Sequence, residues 1–362
     1  MSSTHTAIAT VSKGHFDAIQ VPTELPGDGE VLIKVEYGSM IAFDTYVTDR
    51  GFYVQQYPLV LGFSGAGTVA KLGAGVQGLK IGDRVTAFGY GASRNKSLQE
   101  YSIQPVEVVG KIPDSLSLAE ASTIPDNFVT AFYTLFNQLG LPHPDSFPAT
   151  VSPPLADTPI LIYGAGSTAG IYAIQLLNLA GYKQIIATAS KKHHEYLRSL
   201  GATHTFDYNS PALVEDVGKV VGGDGKVTLI LDCITAESTV ELLSKIASPH
   251  GKVALLLPVK QGNTVTNDKN HALWIDYTAE QSPFVKGTTV IGVKTFNYRQ
   301  DEYLSKNLMP KILPSLLQSG SIKPSRVRLL DQGSLKERVE EGLELLRNNK
   351  ISGEKVVVKI QP

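Results

Sequence analysis

The chain has 362 residues, a length that predicts two domains at roughly 150 residues each. Its 33 basic and 34 acidic residues nearly cancel, so composition gives no electrostatic reason to expect binding to nucleic acid or to an anionic membrane. A single cysteine, Cys233, excludes an internal disulfide and any zinc site built from two or more thiolates.

Residues 6–125 have the pattern of strands and turns. Glu30–Glu36 alternates between apolar and polar residues and follows a turn cluster at Pro26–Gly29. Leu59–Ala70 is apolar, β-branched and rich in glycine, which is typical of strands that bend sharply at a barrel corner. This part of the chain is predicted to form a compact, twisted β-barrel.

Residues 142–159 contain six prolines and show no hydrophobic periodicity. Proline fixes φ and removes a backbone donor, so we expect an extended surface linker or loop here.

From residue 160 onward, short apolar runs alternate with helical patterns. Strands that alternate with helices require right-handed crossovers and therefore predict a parallel sheet. The predicted strands are Ile160–Tyr163, Gln184–Ala189, Thr205–Tyr208, Val227–Asp232, Lys252–Leu257 and Thr288–Gly292, and the predicted helices include Ile171–Ala180, Glu195–Leu200 and one beginning at Ser238. A helix near Leu335–Asn348 and a strand at Glu354–Ile360 close the chain.

A glycine-rich loop joins the first predicted strand of this part to its helix. Small residues there let the backbone approach a pyrophosphate, which a helix N-terminus stabilises through its free N–H groups. The spacing from Gly164 is GxGxxxG rather than GxGxxG, and the alternative is a tight turn without a ligand. The strand–loop–helix context favours a nucleotide site, and its predicted contacts are Gly164, Gly166, Ser167, Thr168 and Ala169.

The residues after the second predicted strand favour NADPH over NADH. An NAD site usually places an acidic residue about 20 residues after the glycine loop, but this chain has Ser190, Lys191 and Lys192 there. Hydroxyl and ammonium groups bind a 2′-phosphate, whereas a carboxylate repels it. Tyr208 is expected over the same adenosine end of the coenzyme. The alternative is a solvated basic turn that opens a helix.

With these landmarks placed, the whole chain resembles the zinc-independent medium-chain dehydrogenase/reductase superfamily. The likeness rests on the order and spacing of many short matches, which include Gly29–Val35, Pro58–Gly62, Gly65–Val69, Ile81–Val85, Lys111–Asp114, Leu200–Ala202 and Gly353–Val358. The resemblance implies an α/β fold with a GroES-like β-barrel catalytic domain, residues 1–125 completed by about 300–362. It also implies a Rossmann domain with a doubly wound parallel sheet that binds NADPH, residues 126–300 with the Pro-rich insertion 142–159.

The same resemblance argues against a catalytic metal. The zinc-dependent members use a Cys, a His–Glu pair and a second Cys, and the matching positions here are Ile41, Phe63 with Ser64, and Asp126. None of these positions has its usual Cys or His, so we expect no metal site.

The closer likeness is to fungal trans-acting enoyl reductases that serve polyketide synthases. It is carried by Tyr163–Gly164, Ser167–Ala169, Phe206–Tyr208 and Leu231–Thr235. It implies hydride transfer from NADPH to the β-carbon of an α,β-unsaturated thioester, with charge developing on the carbonyl oxygen. Two alternatives stay open: a quinone or 2-alkenal reductase acting on free small molecules, and a non-catalytic NADPH-binding protein.

The resemblance also implies which side chains border the reacting groups. Tyr53 matches the tyrosine of a Gly-x-Tyr element that donates a proton in mitochondrial enoyl reductases, although the spacing to Pro58 is two residues shorter here. The other predicted catalytic residues are Tyr46, Asp126 and Asn127, and the residues predicted to border the nicotinamide are Thr130, Leu257, Pro258 and Val293. The alternatives are a packed aromatic role for Tyr53 and a capping role for Asp126 and Asn127 on a helix beginning near Phe128.

Partners and location follow from the same reasoning. We expect a small-molecule or carrier-bound enoyl substrate, a polyketide synthase as a possible partner, no nucleic acid and no membrane, and a monomer or homodimer. No apolar run approaches the roughly 20 residues that span a bilayer. Residues 1–6 lack the features of a secretory or transit signal, so the expected location is the cytoplasm.

Overall fold

A computed structural model of the protein describes residues 3–263, 271–277 and 281–361. These residues separate into two compact units. Unit 1 comprises residues 3–126 and 299–361, and unit 2 comprises residues 127–263, 271–277 and 281–298.

The first third of the chain is mostly β-structure. Its strands are β1 (Thr4–Ser12), β2 (His15–Pro22), β3 (Glu30–Met40), β4 (Leu59–Val60), β5 (Ser64–Leu72), β6 (Arg84–Phe88), β7 (Tyr101–Pro105) and β8 (Val109–Lys111). Its helices are α1 (Ala42–Arg50), α2 (Leu118–Ala121) and α3 (Pro125–Phe132), with short 3₁₀ segments at Ser93–Asn95 and Val106–Val108.

Unit 2 alternates strands and helices after a π-helical segment at Tyr133–Gln138. Residues 142–159 form turns and bends and contain no helix or strand. The elements are β9 (Ile160–Tyr163), α4 (Thr168–Leu179), β10 (Ile185–Ala189), α5 (His194–Ser199), β11 (His204–Asp207), α6 (Leu213–Val221), β12 (Val227–Asp232), α7 (Glu237–Ser244), β13 (Ala247–Leu256), β14 (Val259–Lys260), β15 (Leu273–Trp274) and β16 (Thr289–Val293).

The last part of the chain returns to unit 1 after a 3₁₀ segment at Thr295–Gln300. Its elements are α8 (Glu302–Asn307), a π-helical turn at Leu308–Ile312, α9 (Leu313–Gln318), β17 (Arg326–Leu330), α10 (Leu335–Arg347) and β18 (Glu354–Lys359).

The two units have different sheets. Unit 1 contains a seven-stranded sheet in the order β17-β18-β3-β5-β6-β8, with β7 also paired to β3, and a second sheet in the order β2-β1-β4. Unit 2 contains a six-stranded sheet in the order β11-β10-β9-β12-β13-β16, and all its neighbours are parallel. This order reverses direction at β9, as in doubly wound nucleotide-binding sheets. The predicted fold class is confirmed.

Two helices begin earlier than the sequence pattern predicts. α4 begins at Thr168 rather than Ile171, because Ser167 caps it: its hydroxyl accepts a hydrogen bond from the Gly170 N–H at 3.2 Å. α3 begins at Pro125, a residue whose fixed φ suits the first helical position. Hydrophobic periodicity detects only the first buried apolar residue, and both helices start about one turn before it.

No helix in the described part of the chain is both long enough and apolar enough to cross a membrane.

Candidate active site

The glycine loop lies between β9 and α4, as predicted, and it is anchored to β10. The Gly164 N–H donates to the Thr188 hydroxyl at 3.1 Å, and the Ala165 N–H donates to the Thr188 carbonyl at 2.8 Å. The first N–H groups of an α-helix have no acceptor within the helix. The loop therefore holds the N-terminus of a 12-residue helix at the carboxyl edge of the parallel sheet, where an anionic group is favoured.

Packing explains two of the glycines in this loop. Gly164 has a φ of +70°, and a Cβ on it would overlap the side chain of Ile234. A Cβ on Gly170 would lie 2.6 Å from the Ala165 Cα, so this glycine lets α4 pack closely against the loop. At both positions the neighbouring atoms leave no room for a side chain.

The basic turn after β10 lies next to this loop. A Cβ on Gly166 would be 3.5 Å from the His193 ring and 3.6 Å from Ala189 Cβ. Ser190 is half-buried at the end of β10, and Lys191 is exposed. Lys191 forms no ion pair with any other residue that the structure describes. A hydroxyl and an uncommitted ammonium thus stand beside the glycine loop, which suits a coenzyme phosphate.

The sheet register brings Tyr208 to the same edge. Ala189 of β10 pairs with Asp207 of β11, so the next residue of each strand, Ser190 and Tyr208, leaves the sheet at the same level. Tyr208 is 44% exposed, which leaves its ring available to a ligand. The residues predicted at the adenosine end therefore share one side of the sheet edge.

The residues predicted to border the nicotinamide lie at the other side of this edge. β13 and β16 end together, with Leu256 paired to Val293, and Leu257 and Pro258 follow directly. The Thr130 hydroxyl is 3.0 Å from that of Thr295, two residues after β16. Within unit 2 the structure thus gathers all twelve predicted coenzyme contacts along one edge, an arrangement that fits an extended dinucleotide.

In unit 1, the two candidate tyrosines belong to one aromatic cluster around Phe43. Tyr46 is 5% exposed, and burial raises its pKa to about 12. Tyr53 is 51% exposed and has a φ of +61°, which is uncommon for a tyrosine. Its ring lies 6.0 Å from that of Phe43 and 4.9 Å from that of Phe52. Of these two tyrosines, Tyr53 is the one whose side chain is exposed at the surface of unit 1.

Asp44 is a fully buried carboxylate that joins two loops. Its oxygens accept hydrogen bonds from the Ile41 N–H at 2.9 Å and the Gly62 N–H at 3.0 Å. Burial raises the pKa of Asp44 to about 6, and the Lys96 ammonium opposes this effect. Lys96 is itself buried, and its Nζ lies 3.9 Å from the centre of the Phe63 ring.

Asp126 forms a buried ion pair with Lys355 of β18. The Asp126 N–H donates to the Ser64 hydroxyl at 3.0 Å, and Lys355 also donates to the Thr123 carbonyl at 3.3 Å. Because α3 begins at Pro125, Asp126 lies in its first turn, so the alternative of a cap on a helix beginning near Phe128 is wrong. Asn127 follows, half-buried, and catalytic roles for both residues stay predictions.

The sequence reasoning missed Thr188, Ile234, Lys96 and Lys355. Each acts through a contact with a residue far along the chain, and no local motif marks it. Among residues 3–263, 271–277 and 281–361, no group of three or more His, Cys, Asp or Glu side chains is placed to hold a metal ion.

Two family models match this chain. Residues 27–132 match the alcohol dehydrogenase GroES-like domain, and residues 169–302 match the zinc-binding dehydrogenase family.

Proteins that are similar to this chain over nearly its whole length include enoyl reductases. The chain is 30% identical over 338 residues to the trans-enoyl reductase himH of Aspergillus japonicus, covering 91% of this chain and 90% of the relative. It is 28% identical over 348 residues to lovC, the enoyl reductase component of lovastatin nonaketide synthase from Aspergillus terreus, covering 93% and 90%. The solved structure of the CurK enoyl reductase shares the fold, with a TM-score of 0.75 at 20% identity over 98% of this chain and 99% of the other.

Proposed function

Because the chain belongs to the medium-chain dehydrogenase/reductase superfamily, with trans-enoyl reductases as its relatives, we propose that it reduces the C=C bond of an α,β-unsaturated thioester. NADPH is the proposed coenzyme, and the substrate is a growing chain carried by a polyketide synthase. The observation that carries this proposal is the similarity to trans-enoyl reductases across more than nine-tenths of the chain.

The proposed coenzyme contacts divide the sheet edge of unit 2 into two parts. The loop residues Gly164, Gly166, Ser167, Thr168 and Ala169 hold the pyrophosphate at the N-terminus of α4, and Ser190, Lys191 and Tyr208 hold the phosphorylated adenosine. Thr130, Leu257, Pro258 and Val293 border the nicotinamide. When bound, NADPH supplies the hydride for the reduction.

The proposed roles in unit 1 concern the substrate. Tyr53 donates the proton to the α-carbon, for which its exposed hydroxyl is suited. Tyr46 is buried against Phe43 and Phe52 and supports the aromatic cluster that carries Tyr53. Asp126 and Asn127 lie at the start of α3, one turn before Thr130, and orient that helix.

A substrate panel tests this function. The purified protein is mixed with NADPH and, in separate reactions, with crotonyl-pantetheine, crotonyl thioester on a carrier protein, a small quinone and a free 2-alkenal, and coenzyme oxidation is followed by absorbance. We expect turnover of the thioesters and preference for the carrier-bound one. Turnover confined to the quinone or the alkenal would overturn the proposal in favour of a detoxifying reductase.

The coenzyme assignment has its own test. Affinity for NADPH and for NADH is measured from the fluorescence of the reduced coenzyme, without any substrate. We expect tighter binding of NADPH, and equal or tighter binding of NADH contradicts the assignment of Ser190 and Lys191 to the 2′-phosphate.

A further inference from the structure

A group of buried charges occupies the part of unit 1 where zinc-dependent relatives hold their metal. The matching positions are Ile41, Phe63, Ser64 and Asp126, and none carries a usual ligand. Asp44 binds the Ile41 N–H, the Lys96 ammonium lies over the Phe63 ring, and Ser64 accepts from the Asp126 N–H. Asp126 in turn pairs with Lys355. Two lysines and two aspartates thus lie at or beside the four positions that match the metal ligands.

These four charges influence one another through a low-dielectric interior. The Asp126 carboxylate adds to the raised pKa of Asp44, and both Lys96 and Lys355 are stabilised as cations by Asp44. The formal sum of the four charges is zero. Burying charges is costly unless they are paired and hydrogen-bonded. Four buried charges therefore contribute little to stability beyond their mutual compensation.

The two lysines differ in what their ammonium groups already bind. Lys355 is committed, since it pairs with Asp126 and donates to the Thr123 carbonyl. Lys96 contacts the face of Phe63, and among the described side chains and backbone groups its ammonium has no hydrogen-bond acceptor. Its three N–H donors are therefore available to an incoming oxygen atom.

Lys96 also has suitable acidity. Burial lowers the pKa of Lys96 to about 8, so the group is a cation at neutral pH yet a stronger acid than an exposed lysine. Tyr46, which packs against Phe43, is a much weaker acid, because burial raises its pKa to about 12.

We propose that the Lys96 ammonium takes the place of the metal and donates a hydrogen bond to the carbonyl oxygen of the substrate as negative charge develops on it. This inference rests on the proposed function. When the β-carbon accepts hydride, a C–H bond forms and the C=C electron pair moves towards the carbonyl, whose oxygen becomes negative. Protonation of the α-carbon then restores the neutral carbonyl. Lys96 keeps its proton throughout.

Two substitutions at Lys96 and one control test the proposal by kinetics. Lys96→Met removes the charge at nearly constant length, and we expect kcat on crotonyl-pantetheine to fall about 10²-fold, as for loss of one oxyanion donor. In the wild type, kcat falls as pH rises through about 8, where Lys96 loses its proton. Lys96→Arg keeps the charge and abolishes this fall at alkaline pH. Lys34→Met, at an exposed position of β3, leaves both kcat and its pH profile unchanged.

A second readout does not depend on turnover. Acetoacetyl-pantetheine lacks the C=C bond but forms an enolate, and the ultraviolet absorbance of that enolate reports how far the protein stabilises it. We expect the wild type and Lys34→Met to enhance the enolate absorbance, Lys96→Arg to retain the enhancement, and Lys96→Met to lose it. NADPH fluorescence confirms that each variant still binds the coenzyme in unit 2.

The outcomes separate this inference from the function on which it rests. If the wild type reduces no enoyl thioester but stabilises the enolate through Lys96, the proposed function fails and the oxyanion site stands. If Lys96→Met retains wild-type kcat, the alkaline fall in rate and the enolate absorbance, the assignment of Lys96 is overturned.

Discussion

The guanidinium of Arg347 forms a bidentate ion pair with the carboxylate of Asp49, a residue 298 positions earlier in the chain. Arg347 Nε lies 2.8 Å from Asp49 Oδ2, and Nη2 lies 2.6 Å from Oδ1. The Asp49 side chain is 1% exposed, so the guanidinium meets a buried carboxylate. The pair joins the end of α1 to the end of α10 and ties the C-terminal part of unit 1 to its N-terminal part.

Arg347→Met is expected to destabilise unit 1 by about 3 kcal/mol, because it removes both guanidinium hydrogen bonds from a buried carboxylate. The free energy of unfolding is measured by denaturant titration. Glu344 is the matched control, since it contacts the same guanidinium from an exposed position at 2.6 Å. Glu344→Gln is expected to cost less than about 1 kcal/mol. If Arg347→Met and Glu344→Gln lower the free energy of unfolding equally, the ion pair with Asp49 does not stabilise unit 1 as proposed.

Gly164→Ala is expected to weaken NADPH binding at least about 10-fold, which corresponds to about 1.4 kcal/mol. The new methyl group meets Ile234 and sits on a backbone with φ of +70°, so the glycine loop must move. Gly223→Ala is the control, because its φ of +57° imposes similar backbone strain with no atom near the added Cβ. Coenzyme fluorescence gives both affinities, and unchanged binding by Gly164→Ala excludes this loop as the pyrophosphate site.

Lys191→Met is expected to raise the dissociation constant for NADPH about 10-fold and to leave that for NADH unchanged, since only NADPH carries the 2′-phosphate. Lys183→Met provides the control. Lys183 is also an exposed lysine of unit 2, but it precedes β10, whereas Lys191 follows that strand. If Lys191→Met raises the dissociation constants of NADPH and NADH by the same factor, Lys191 does not contact the 2′-phosphate.

Tyr53→Phe is expected to lower kcat on crotonyl-pantetheine about 10²-fold with little change in coenzyme affinity, because it removes only the proposed acid. Tyr57→Phe is a suitable control, since Tyr57 is a nearby tyrosine with 36% exposure and no proposed role. Should Tyr53→Phe turn over at the wild-type rate, the proton comes from water instead.

The charge state of Lys96 also predicts how stability depends on pH. Its folded pKa, about 8, is below the ordinary value of 10.5, so folding favours the neutral amine. Below pH 8 the group is charged in both states and its burial opposes folding. As pH rises from 8 to 10.5, the folded protein loses this proton before the unfolded chain does. The free energy of unfolding of the wild type therefore increases relative to Lys96→Met, by about 3 kcal/mol over that range. If the difference in the free energy of unfolding between the wild type and Lys96→Met stays constant from pH 8 to 10.5, the pKa of Lys96 is not lowered in the folded protein.

Local pattern was sufficient to place the residues predicted to contact the coenzyme along one edge of the parallel sheet. The glycine loop, the basic turn and the strand ends at Leu257 and Val293 were all placed from sequence, because the carboxyl ends of parallel strands must meet at one edge. The predicted starts of α3 and α4 were less accurate, since the residues of a helix cap and first turn need not be apolar.

The sequence by itself determined the alternation of strands and helices, the glycine loop after the first parallel strand and the side-chain types at the four positions that match metal ligands, because hydrogen-bond periodicity and side-chain chemistry are local properties. Only the tertiary structure decided which lysine lies beside which aspartate. Asp126 and Lys355 are 229 residues apart, and Asp44 and Lys96 lie on separate segments of unit 1. The proximity of each lysine to its aspartate depends on sheet register and on which side chains the folded core excludes from water. Neither property is written in any single stretch of the chain.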